Sequence, residues 1–197
     1  MRHHAASIAA SARKRLRWPG HAIGAERPAD WYDKKFAATA SYRAVYPDSP
    51  YYFLWSVIVD RIRRAELRRV LDIGCGTGQL AAYLLDQGID SYVGLDFSPK
   101  AIEYARRIAP HARFVVGDAR TSDVYIEEHD VLICTEVLEH IADDLAVVER
   151  FRPRTRCIFS VPSFDSAGHV RFFRDKSEVV ARYGDYFGDL DVVELHA

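Results

Sequence analysis

The stretch Val70-Leu71-Asp72-Ile73-Gly74-Cys75-Gly76-Thr77-Gly78-Gln79 decides the fold. Residues 69–73 read as a short buried strand, and a helix follows over residues 79–87. Between them Gly74, Gly76 and Gly78 let the backbone turn tightly and come close to a ligand. Outward from this turn the chain alternates. Residues 91–95 read as a second strand. Ser98-Pro99 is an N-cap with proline at the first helical position, opening a helix over 101–108. Further strands are expected at 113–116, 130–134 and 156–161, the last stopped by Pro162. A helix-like 136–140 and a helix over 143–151 separate the fourth and fifth strands, and a helix at 176–183 precedes a final strand at 190–195. This alternation predicts an α/β fold, a doubly wound, Rossmann-like, mainly parallel sheet with helices on both faces. Ligands of such sheets bind beyond the carboxyl ends of the strands, near the switch point.

Upstream lie a short helical stretch over 30–40, a turn at 47–50 and a long amphipathic helix over 51–67, with Leu54, Ile58 and Ile62 at steps of four. A chain of 197 residues has room for one domain and a short appendage. Its 49% hydrophobic and 28% charged residues exclude wholesale disorder, collagen and coiled coil. No apolar run reaches the length of a membrane span. Cys75, Cys134 and Cys157 are odd in number and widely spaced, which argues for a reducing, cytoplasmic setting without a disulfide framework or structural zinc.

Residues 1–25 carry Arg2, Arg13, Lys14, Arg15 and Arg17 and no acid; with a chain total of -1, the remainder sums to -6. The tail has the composition of an organellar transit peptide, or of an arm for anionic lipid or RNA. The simplest reading is a solvated extension over 1–28, with the domain over 29–197. The acidic domain body disfavours nucleic acid as a partner.

The glycine turn differs from a dinucleotide fingerprint in its GxGxG spacing and in Asp72. A carboxylate at its edge would repel a pyrophosphate and attract a ligand with a cationic amine or sulfonium, and S-adenosylmethionine carries both. Asp96, ending the second strand, suits the two hydroxyls of a ribose. After the third strand comes Gly117-Asp118-Ala119, where an acid could accept from an adenine amine. Each acid also has a plain structural reading, Asp96 as a helix cap and Asp118 as a turn former.

Together, Leu71-Asp72-Ile73-Gly74-Cys75-Gly76-Thr77-Gly78, Gly94-Leu95-Asp96-Phe97-Ser98, Gly117-Asp118-Ala119 and Glu136-Val137-Leu138-Glu139-His140-Ile141 resemble a class I S-adenosylmethionine-dependent methyltransferase over residues 50–165. The resemblance implies a seven-stranded sheet with one antiparallel strand near the edge. It implies that Gly74, Cys75, Gly76 and Gly78 wrap the methionine portion, with Asp72 near its amino group. It implies ribose binding by Asp96, adenine packing by Phe97, contacts to the adenine amine by Asp118 and Ala119, and Thr135 and Glu136 at the methionine end. One departure stands out: after Pro162 only 190–195 reads as a strand, so the last edge strand is expected to be missing or supplied by a partner.

For chemistry, Glu136, Glu139 and His140 fall at i, i+3 and i+4, and His169 follows the fifth strand. His140 and His169 are the candidate bases. A metal site from Glu136, Glu139, His140 and His169 resembles that of small-RNA 2′-O-methyltransferases; the same Glu-Val-Leu-Glu-His is common in small-molecule enzymes, and no metal is assigned. Tyr32, Tyr42, Tyr46, Tyr51, Tyr52, Trp55, Phe164, Phe172 and Phe173 supply a roof for a flat or apolar acceptor, with Arg171 and Arg174 available to an anionic group. The expected function is in-line methyl transfer from S-adenosylmethionine to an O or N of a small molecule. The competing readings are a metal-dependent RNA 2′-O-methyltransferase and a catalytically silent cofactor-binding scaffold. A homodimer through the sheet edge or the N-terminal helices is the expected assembly.

Overall fold

The computed structural model describes residues 24–195. Most of the basic tail therefore lies outside the described residues. Among those described, the helices are α1 (Ala29–Ala38), α2 (Tyr52–Arg64), α3 (Gln79–Asp86), α4 (Pro99–Ile108), α5 (Asp144–Val148) and α6 (Lys176–Tyr183). The strands are β1 (Arg69–Ile73), β2 (Ser91–Asp96), β3 (Arg113–Val116), β4 (Val131–Cys134) and β5 (Arg156–Phe159). They form one sheet in the order β3-β2-β1-β4-β5, every pair parallel.

Strand periodicity sorts the side chains to two faces. Val70 of β1 and Val131 and Ile133 of β4 join Ile58 and Ile62 of α2, Leu84 of α3 and Ile102 of α4 on one face. Leu71, Ile73, Leu132 and Cys134 join Leu138, Leu145 and Tyr183 on the other. Asp72 alternates with Leu71 and so carries a carboxylate onto the α2–α4 side, almost wholly buried. The order reverses between β1 and β4, and the cavity opens beyond their carboxyl ends.

Two expectations are corrected. Residues 190–195 form no strand among the described residues: Leu190 and Val192 pack on the core, but no ladder bonds form. Alternation alone gives a strand only where an edge accepts it. The sheet accordingly has five parallel strands rather than seven with an antiparallel one. The Glu136–His140 segment is a 3-10 turn over Leu138–His140, because Glu136 sits at φ 58° and breaks the helical run. Contacts with the domain body begin before Ala29. Glu26 accepts from the Ala142 N–H at 2.8 Å, and the Arg27 guanidinium donates to the Ala167 carbonyl at 3.3 Å.

Candidate functional site

The cavity is lined by the glycine turn, by the ends of β1, β2 and β4, and by a roof from α1, the 40–43 turn and α2. Asp72 is at its floor. One carboxylate oxygen accepts from the Tyr92 hydroxyl, and the other is buried without a partner. Burial, opposed by the Tyr92 bond and helped by Asp96, pushes its carboxyl up to about 7. Asp96 accepts from the Gly76 N–H at 3.0 Å and from the Ser98 N–H at 2.9 Å, so one carboxylate ties the glycine turn to the start of α4. Burial outweighs these bonds and raises it to about 6.

The glycines have separate duties. Gly76 has φ 54°, and a Cβ there would meet nothing within 4 Å, since it would project into open space. Gly78 has φ 81°, and its Cβ would stand 2.8 Å from the Ala105 Cα. It lets α3 and α4 pack closely. Cys75 lines the cavity, but its sulfur lies against the face of Gly94: a Cβ on Gly94 would come within 2.8 Å of it.

S-adenosylmethionine fits these residues. Asp72 lines the cavity with one oxygen left without a partner, which a cationic amine would satisfy, and the open side of Gly76 is the cradle a side chain would fill. Phe97 is partly exposed in the cavity and packs edge-on against Tyr32. Asp118 also lines it, but the Arg120 guanidinium clamps both carboxylate oxygens, at 3.0 and 2.6 Å, and holds its pKa below the usual range. Arg120 in turn reaches Glu26 at 2.9 Å. Ala119 and Thr135 line the cavity as well.

The acceptor end brings together residues from two loops, those after β4 and β5. Glu139 is fully buried, and neither of its carboxylate oxygens has a hydrogen-bond partner; burial, with Glu136 adding, raises its carboxyl well above the usual range. His140 Nδ1 meets the Gly168 carbonyl at 2.8 Å, and His169 Nδ1 meets the Phe164 carbonyl at 3.1 Å. A carbonyl only accepts, so each Nδ1 carries a proton, and each Nε2 is the ring nitrogen left for other partners. One ligand atom each of Glu139, His140 and His169 lies within 4.8 Å of the others. Burial, with the charges of His169 and Lys35, lowers His140 to about 4, so it is neutral near pH 7. Glu136 stays outside this cluster, because its Oε1 accepts from the Ser160 hydroxyl at 2.9 Å.

Arg171 and Arg174 do not face an acceptor. Arg171 is buried and donates to the carbonyls of Leu138, Ile141 and Ala142, while Arg174 pairs with Glu178. The 138–142 carbonyls need a donor inside the protein, a demand the sequence does not display. Of the roof aromatics, Tyr32, Tyr42, Tyr51 and Trp55 line the cavity, together with Phe36, which the sequence reading missed; Tyr52 is exposed and Phe164 and Phe173 lie elsewhere. The Tyr32 hydroxyl is buried without a partner.

Residues 70–155 match the family model for a methyltransferase domain. The ubiquinone biosynthesis O-methyltransferase of Aliivibrio fischeri (strain MJ11) is 37% identical over 86 residues, 41% of this chain and 36% of that protein. That of Histophilus somni (strain 2336) is 31% identical over 94 residues, 43% of this chain and 39% of that protein. The chain thus spans under two fifths of the length of these curated relatives. Among solved structures, the methyltransferase domain of bacterial CtHen1 aligns with TM-score 0.55 at 20% identity, covering 67% of this chain and 82% of that one. The small RNA methyltransferase HEN1 aligns with TM-score 0.59 at 22% identity, covering 67% of this chain and 20% of that one. At these identities the structural likeness speaks for the fold. Residues 70–155, which carry the glycine turn and strands β2 to β4, are thus similar to a methyltransferase domain in sequence, and the parallel sheet agrees with that likeness.

Proposed function

We propose that the protein is an S-adenosylmethionine-dependent methyltransferase of a small molecule, acting on a hydroxyl oxygen. The observation that carries this is the shared cavity: the unpartnered Asp72 oxygen, Asp96 and the open face of Gly76 line the same space as His140 and the aromatic roof. The relatives' names support an oxygen acceptor. No helix of the described residues is long and apolar enough to cross a membrane.

In this reading Asp72 holds the cofactor's amino group, Asp96 its ribose hydroxyls, Phe97 packs the adenine, and Gly74, Gly76, Gly78, Thr135 and Glu136 enclose the methionine end. Asp118 contributes through its pair with Arg120, and Ala119 through its backbone. The bound cofactor supplies an activated methyl on sulfur. The roof rings of Tyr32, Tyr42, Tyr51 and Trp55 orient a flat acceptor in line with it. His140 Nε2 accepts the hydroxyl proton as the oxygen takes the methyl group, and His169 stands beside it as the alternative acceptor.

The test is methyl-labelled S-adenosylmethionine added with the protein to a cell extract, followed by separation of small molecules from RNA. Label in the small-molecule fraction, lost with His140→Ala, is the expected result; label in RNA alone contradicts it.

A second reading is favoured by the convergence of Glu139, His140 and His169. Nitrogen and oxygen donors with imidazoles oriented by backbone carbonyls are the surroundings of a divalent ion. An ion there would balance the buried Glu139 carboxylate and acidify an acceptor hydroxyl directly. Metal analysis of the purified protein, repeated with Glu139→Gln, separates the two: one ion per chain in the parent and none in the variant supports the metal, and a metal-free active protein excludes it.

A further inference from the structure

The roof over the acceptor end is fastened to the cofactor turn by side chains that the methyl-transfer chemistry does not use. The Thr77 hydroxyl donates to the Tyr42 carbonyl at 2.5 Å. The Gln79 amide nitrogen donates to the carbonyls of Ser41 and Ala44, at 3.0 and 2.7 Å. Both side chains are almost wholly buried, and both follow directly on the glycines of the turn. Their partners are three carbonyls in the 40–44 segment, which carries Tyr42 into the cavity. These hydrogen bonds are part-buried, and a carbonyl that loses its donor away from water is destabilised, so Thr77 and Gln79 hold the segment in position.

A second fastening lies at the other end of the roof. Asp33 of α1 accepts from the Ser98 hydroxyl at 2.5 Å and from the Lys100 N–H at 3.1 Å, at the start of α4. Asp96 bonds the N–H groups of both Gly76 and Ser98. Both fastenings therefore end on backbone that this one cofactor-facing carboxylate holds.

We propose that Thr77 and Gln79 are positioning residues of the acceptor site: they tie the 40–44 segment, and Tyr42 with it, to the cofactor turn, so that order imposed on the turn by the cofactor is passed to the acceptor cavity. This rests on the cofactor reading above. A turn held rigid by ligand presents fixed donors to the roof, and a mobile turn does not, which couples the two sites through shared order.

The experiment is amide hydrogen exchange on the full chain with and without S-adenosylhomocysteine. In the parent protein the ligand slows exchange over 72–80 and, by tenfold or more, over 39–46. In Gln79→Leu the protection over 72–80 persists and that over 39–46 is lost. Thr77→Val weakens it, and Thr77→Ser, which keeps the hydroxyl, restores it. Roof protection of parental size in both Gln79→Leu and Thr77→Val overturns the coupling, as does a parent roof indifferent to ligand while the turn is protected. Absence of protection at the turn itself overturns the cofactor reading, a distinct failure.

Discussion

His140 Nδ1 lies 2.8 Å from the carbonyl oxygen of Gly168, across 28 residues of sequence. That single bond fixes the tautomer of the imidazole and joins the loop after β4 to the loop after β5. The same two loops are joined again where the Val170 N–H donates to the Glu139 carbonyl at 2.7 Å.

Arg171 is the third tie, and the one whose loss should be felt most. It donates to three carbonyls and stands 3.4 Å from Asp144, which also accepts from Arg182 and Tyr183. Arg171→Met leaves those carbonyls buried without donors. We expect a loss of about 3 kcal/mol, seen as a melting temperature lower by roughly 6–12 °C. A shift under 2 °C would show that the loops hold without it.

The binding of S-adenosylhomocysteine should depend on pH through Asp72. Its carboxyl stands at about 7 in the ligand-free protein, and a cationic amine favours the ionised form. Affinity is therefore full above pH 7 and falls as pH drops through 7, by up to about tenfold per unit. Below about 6 protonation of Asp96 steepens the fall. Asp72→Asn should weaken binding by roughly tenfold to a hundredfold and flatten the dependence above pH 6.5, measured by calorimetry from pH 6 to 8.5.

Gly76 and Gly78 should respond differently to alanine. Gly78→Ala places its Cβ against the Ala105 backbone at a positive φ, so it should destabilise the fold by about 2 kcal/mol or more. Gly76→Ala has room for its Cβ and should cost about 1–2 kcal/mol of strain, yet lose cofactor affinity by filling the cradle. Thermal melts and ligand titration of the two variants separate these effects.

His140→Ala should lower methyl transfer by about a hundredfold or more while S-adenosylhomocysteine affinity changes by less than about threefold, because the imidazole serves the acceptor end. An equal loss in both measurements would move His140 to the cofactor.

Much of this arrangement was legible in sequence because it is local. The strand, the glycines and Asp72 occur within ten consecutive residues, and Ser98-Pro99 caps α4 as its spacing announces, with the Ser98 hydroxyl accepting from the Ala101 N–H at 3.0 Å. What stayed hidden depends on partners far along the chain. Asp118 reads as an acceptor for an adenine amine until Arg120, itself held by Glu26, clamps it, and Arg171 reads as available to an anionic group until the carbonyls of the 138–142 loop surround it. Residues 190–195 carry a strand pattern without a ladder, since pairing is decided by the neighbouring edge rather than by propensity.

The most direct test of the central claim is calorimetric titration of the full chain with S-adenosylhomocysteine and, separately, with NAD at pH 8. Saturable one-to-one binding of the first, weakened at least tenfold by Asp72→Asn, with no heat from NAD, is the predicted result. Binding of NAD alone, or affinity for S-adenosylhomocysteine indifferent to Asp72, would contradict it.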